Sequence, residues 1–163
     1  MMTHKKKRNI LAGLFGVYIL FVIKSVILKY PIAQLMEIAR TWTREVVLEG
    51  LDTANFTLFK TIRMYIVYAD RLNSVENLVG NIVVFVPLGM FLPLLFQTCE
   101  RMTETMMVSF ILIVGIELFQ LFSAFGAFDV DDILLNCLGS FMGFGLYRVI
   151  RHFRRKRERT EDR

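Results

Sequence analysis

Seven polar side chains, set in a largely apolar sequence, have the types and spacing to act together. They are Asn77 and Asn81, Glu117 and Gln120, Asp132 and Asn136, and Asp129 just ahead of the last pair. Intervals of i,i+4, i,i+3 and i,i+4 put the members of each pair on one face of a helix. Carboxylates accept hydrogen bonds and carry negative charge, while carboxamides both donate and accept. Such a set suits amines, sugar hydroxyls, peptide amides or a cation. It would repel a phosphate unless Lys60, Arg63 or Arg71 folded over it.

An ionised carboxylate in the middle of a membrane helix costs about 2.5–3.5 kcal/mol on insertion scales. The polar faces are therefore expected to turn away from lipid, toward one another or toward water. Asn and Gln also bridge membrane helices for packing alone, at about 0.6 kcal/mol per contact. Glu117 is the member that packing explains least, because a Gln would bridge without the charge. Asp129 and Asp131 are expected in a solvated turn, with Asp132 as the N-cap of the helix that follows.

The elements that must position these residues are membrane spans. A helix needs about 20 mostly apolar residues to cross the bilayer core. Residues 78–96, 106–125 and 132–150 meet that length, and residues 10–28 reach it with Lys24 snorkelling toward an interface. The composition agrees: 55% of the 163 residues are apolar, with 15 Phe and 9 Met, against about 45–50% in soluble domains. The first run is read as an uncleaved helix and not a signal peptide, because Lys24, Lys29 and Tyr30 stand where a small-residue cleavage site would lie. The expectation is a single domain over residues 1–163, an all-α bundle of four transmembrane helices.

Lys5, Lys6, Lys7 and Arg8 precede the first span, and eight basic residues from Arg148 to Arg163 follow the last, so the two ends hold 12 of the 20 Lys and Arg residues. Basic flanks mark the cytoplasmic side. Both termini are thus expected inside, with the tail 151–163 near anionic lipid. Asn77 and Asn81, Glu117 and Gln120, and Asp132 and Asn136 then all fall in the outer halves of their helices. With about 1.5 Å of rise per residue, Asn81 and Asn136 lie ~5 Å below the helix tops and Glu117 ~10 Å.

Residues 29–76 form the long outer loop, with six basic and six acidic residues. Ile32, Leu35, Met36, Ala39, Trp42 and Val46 recur at helical spacing, which predicts one amphipathic helix on the membrane surface. Residues 56–69 are apolar but too short to span, and are expected to be interfacial or re-entrant. Gly139 and Gly143 form a small-xxx-small pair that should pack closely on a partner helix, and Pro87 should disturb the helix around Val83. The net charge of +5 comes from flanks of apolar segments without a reading motif, so no nucleic-acid partner is expected. Cys99 and Cys137 are too separated to support a disulfide framework or a metal site. No phosphate-cradling glycine loop, nucleophilic triad or His-rich set is present, and no metal or cofactor is expected.

Three stretches resemble the motifs of VanZ-like proteins. Residues 76–89 are similar to N-x-x-G-N-x-x-x-F-x-P-L-G, residues 116–120 to Glu-x-x-Gln, and residues 128–139 to F-D-x-D-D-x-x-x-N-x-x-G. Residues 55–62 are similar to N-x-x-P-F-x-T-I, with Leu58 in place of the proline. Phe125-Gly126-Ala127 stands where many members carry a basic residue. The resemblance spans residues 55–145 in matching order. It implies a bacterial cell-membrane protein linked to resistance to the glycopeptide teicoplanin or to envelope lipid chemistry.

The expected function is a non-enzymatic binder of a glycopeptide or envelope lipid in an outward-facing polar pocket formed by Glu117, Gln120, Asp132, Asn136, Asn81, Asn77 and Asp129. Two other readings use the same residues. One is an intramembrane enzyme acting on a lipid-linked cell-wall precursor, with Glu117 and an aspartate as acid and base. The other is a small transporter, which with four short spans would need a homo-oligomer.

Overall fold

A computed structural model describes residues 4–27, 30–69 and 74–161. Leu28, Lys29, Arg71 and Arg163, which enter the sequence argument, lie outside the described residues. Four helices are long and apolar enough to cross a membrane. These are α1 (His4–Val22, continued by a π-helical turn Ile23–Ile27), α5 (Ser74–Leu95), α6 (Met102–Ser123) and α7 (Val130–Glu161). Between α1 and α5 lie three short helices: α2 (Ile32–Arg40), α3 (Arg44–Thr53) and α4 (Lys60–Val67). The outer surfaces of the long helices are apolar, with Val17, Leu20, Val83, Ile111, Phe122 and Met142 all exposed. Surfaces of that kind suit lipid and not water. The chain is a multi-pass helical membrane protein.

The closest pairing in the bundle is α5 against α7, and glycine makes it possible. A Cβ added at Gly139 would collide with the Ile82 carbonyl, one at Gly143 with the Val86 carbonyl, and one at Gly89 with the Ser140 carbonyl. The partner of the small-residue pair is therefore a neighbouring helix of the same chain. Helix α6 joins α7 through the hydroxyls of Ser109 and Ser140, both fully buried and 2.6 Å apart. Helix α1 packs on α5 through Tyr18, whose hydroxyl donates to the Val84 carbonyl at 3.0 Å. That bond sits beside Val83, whose carbonyl Pro87 cannot serve because proline has no N–H. The helix nevertheless runs unbroken through Pro87 and Pro93.

Two elements differ from expectation. The amphipathic stretch 32–46 is two helices, α2 and α3, separated at residues 41–43. Thr43 caps α3 by accepting from the Val46 amide at 3.4 Å, and the Trp42 indole N–H donates to the Phe122 carbonyl at 2.8 Å. A cap and an anchor to the end of α6 outweigh continuous amphipathic periodicity. The helix that carries the last span also continues past residue 150. Helix α7 has 32 residues and carries the basic segment with it. At ~1.5 Å per residue it is ~48 Å long, well beyond the ~30 Å hydrocarbon core.

Candidate functional site

The loop before α7 and the segment before α4 are stitched together at the end of the bundle opposite the basic tail. Asn55 and Asp129 form a short parallel bridge, with the Asn55 amide donating to the Phe128 carbonyl at 2.9 Å and the Val130 amide donating to the Asn55 carbonyl at 3.0 Å. Side chains extend it. The Asn55 carboxamide donates to Asp129 Oδ1 at 2.8 Å and to the Thr61 hydroxyl at 3.1 Å, and that hydroxyl donates to Asp129 Oδ2. Asp129 also accepts from the Asp131 amide at 2.8 Å. Asp129 thereby caps α7, the role expected of Asp132.

Asp131 does not lie in a solvated turn. It is fully buried, and its carboxylate accepts from three backbone amides: Phe59 at 2.6 Å, Thr61 at 2.8 Å and Ile62 at 3.2 Å. These are the N-cap residue and two first-turn residues of α4, whose amides have no intrahelical partner. A carboxylate there meets both the orphan N–H groups and the positive end of the helix dipole. Asp131 is thus an N-cap supplied from about 70 residues away. Phe59, held by it, adopts a left-handed conformation with φ 65°, a strained state for a bulky side chain that persists because the surroundings over-determine it.

Beneath this clasp, polar residues of the three long helices meet. The Asn81 carboxamide of α5 donates to Asp132 Oδ1 of α7. Glu117 of α6, only 1% exposed, accepts from the Asp129 amide through Oε2 at 3.2 Å. Gln120, one turn further along α6, is also buried and lies under Gly126, where an added Cβ would come within 3.1 Å of its carboxamide. Asn136, one turn below Asp132, is 2% exposed, and its Oδ1 has no hydrogen-bond partner among the described residues.

Asn77 stands apart from the buried set. It is exposed, and its side chain hydrogen-bonds the phenol of Tyr65 on α4. Burial first, then the charge of Asp132, raises the Tyr65 phenol above the ordinary tyrosine value; the Asn77 bond opposes this and Asp129 adds to it. No grouping of three or more His, Cys, Asp or Glu side chains able to hold a metal ion occurs among the described residues.

Of the seven residues singled out by spacing, Asn81 and Asp132 pair directly, and Glu117 and Asp129 join through a backbone amide. Gln120 and Asn136 are both buried, and Asn77 lies at the exposed rim. Sequence reasoning did not place Asn55, Thr61, Tyr65 or Asp131 with them. The signal for three of these was the similarity of residues 55–62 and 128–139 to family motifs, which the structure brings into contact. The VanZ/LLP1 family model matches residues 15–151. No curated protein and no solved structure matches the chain.

Proposed function

Because this chain belongs to the VanZ/LLP1 family, we propose that it is a non-catalytic membrane protein that binds a donor-rich envelope ligand, a glycopeptide or the headgroup of an envelope lipid. The binding end of the bundle is the one holding Glu117, Asp132 and Asn136, which faces outward. The basic termini are cytoplasmic, as the concentration of Lys and Arg around α1 and the end of α7 favours.

The observation that carries this reading is the unpartnered Oδ1 of Asn136, buried beside a layer of carboxylates. A buried acceptor left without a donor costs about 1–3 kcal/mol, and native structures rarely keep one without a use. A ligand amine, amide N–H or sugar hydroxyl satisfies it. Glu117 and Asp132 add negative charge for the same class of donor, and Asn81 and Gln120 orient it. Asn77 and Tyr65 form the rim past which the ligand enters.

The test is native mass spectrometry of the detergent-purified protein with teicoplanin and with extracted envelope lipids, comparing wild type, Glu117→Gln and Asn136→Leu. Removing an unsatisfied buried acceptor leaves Asn136→Leu as stable as wild type or more so. Both variants are expected to lose the retained ligand by about tenfold or more, since a lost charge-assisted or buried hydrogen bond costs about 1.5–3 kcal/mol. A folded Asn136→Leu protein that retains ligand like wild type overturns the assignment, as does a wild type that retains nothing.

A further inference from the structure

Helix α4 presents two faces, and the proposed function uses one of them. Thr61, Ile62 and Tyr65 turn toward the polar layer, the first two through their amides on Asp131 and the third through its hydrogen bond with Asn77 at the rim. Lys60, Arg63, Met64 and Val67, spaced i, i+3, i+4 and i+7, form the other face. With Leu58 and Phe59 they line a cavity of about 590 Å³. Its apolar wall is open and not packed: Leu58, Phe59, Met64 and Val67 are 42–63% exposed. Phe59 is the residue held by Asp131 at φ 65°, so a strained backbone keeps its ring on this wall. Both cations stand in the first turn of α4, where positive charge opposes the helix dipole. The cavity lining holds no acidic side chain among the described residues. Asp131, the carboxylate that caps this helix, is buried with its oxygens on backbone amides.

The same cap fixes the depth of the cavity. Asp131 is the second residue of α7, so α4 lies where the last span begins. Eight residues make α4 ~12 Å long, too short to cross a bilayer. A short helix at that level, with exposed apolar residues and cations on one face, sits at the boundary of headgroups and acyl chains.

We infer that this cavity is a binding site for an anionic phospholipid whose headgroup carries one phosphate and no amine, with the phosphate between Lys60 and Arg63 and the first chain carbons against Leu58, Met64 and Val67. The Arg63 guanidinium offers a phosphate two parallel N–H donors, and the Lys60 ammonium adds a point charge beside them. A headgroup amine would meet these two cations and find no carboxylate in the lining to receive it. A free phosphate would leave the apolar wall in water, whereas lipid chains bury it. The site lies on the face of α4 turned away from the polar layer, and its success or failure leaves the Asn136 assignment untouched.

The experiment is native mass spectrometry of the full-length protein in detergent, with phosphatidylglycerol, phosphatidylethanolamine and inorganic phosphate as competing probes. Wild type is expected to retain phosphatidylglycerol over phosphatidylethanolamine by about tenfold, and inorganic phosphate is expected not to displace it. Lys60→Gln/Arg63→Gln is expected to lose that preference while melting no lower than wild type, because it removes charges that oppose the α4 dipole. Met64→Ser/Val67→Ser, which spares the cations, is expected to weaken retention of both lipids alike. The charge-matched control Arg40→Gln/Arg44→Gln, which alters exposed residues outside the cavity, keeps the wild-type preference. Equal losses in the cation variant and the control mean surface charge and not a site. A preference that survives Lys60→Gln/Arg63→Gln places the lipid elsewhere. Displacement by inorganic phosphate, or full retention by Met64→Ser/Val67→Ser, means an anion site without a lipid chain. Each of these results overturns the inference, as does a wild type that holds the two lipids equally.

Discussion

Single residues divide into those that hold together the end of the bundle opposite the basic tail and those whose capacity exceeds that task. Asp131 belongs to the first group. Its two oxygens serve three amides at the start of α4, and a carboxamide cannot replace it, because the Asn amino group would face N–H donors. Asp131→Asn is expected to destabilise the protein by about 2–4 kcal/mol. The same variant should speed hydrogen exchange at the Phe59, Thr61 and Ile62 amides, while amides in the middle of α6 keep their protection. Uniform acceleration throughout the bundle would assign Asp131 a global role instead of a local cap. Asn136 belongs to the second group, since its Oδ1 does nothing for the fold.

Among the elements, the α5–α7 pair is the frame on which everything else is mounted. Three glycines let the two backbones touch, and that contact sets the register that brings Asn81 opposite Asp132. Gly143→Leu would push the helices apart, because the nearest atoms are the Val86 carbonyl and the Met90 amide, which are backbone and cannot swing aside. Its expected outcome is loss of the monodisperse folded protein on size-exclusion chromatography in detergent. Gly145→Leu on the same helix, with open space around it, should elute as wild type does. Equal behaviour of the two variants would contradict the close-packing account. The short helices depend on this frame in turn: α4 is started by Asp131, and Trp42, between α2 and α3, is tied to the end of α6.

For the molecule as a whole, charge is separated by end: carboxylates cluster at one end of the bundle and arginines at the other. This asymmetry has a measurable consequence at alkaline pH. Tyr65 has a raised phenol pKa in the folded protein, from burial and then from Asp132, with Asn77 opposing. The folded state therefore holds this proton more tightly than the unfolded chain. The resulting stabilisation is complete below the ordinary tyrosine value of about 10 and fades as pH rises through the folded value above it. Between about pH 8 and 11, the melting temperature of wild type should fall more steeply than that of Tyr65→Phe, which has no proton to lose. Parallel curves would show that Tyr65 senses neither its burial nor Asp132.

Local pattern alone determined the four spans, the gathering of polar residues in one half of the bundle and the glycine pair of α7, because hydropathy and helical periodicity are short-range properties. The family motifs were legible for the same reason, as fixed spacings within a few turns. Tertiary structure decided what those signals could not contain. It decided that the aspartate expected in a solvated turn is a buried cap for a helix 70 residues earlier, that Trp42 breaks an amphipathic helix to reach a carbonyl 80 residues later, and that Asn136 is left with an unpartnered acceptor. Which donors find which acceptors depends on how the chain folds back on itself. When those partners lie far apart in sequence, no window of neighbouring residues records the outcome.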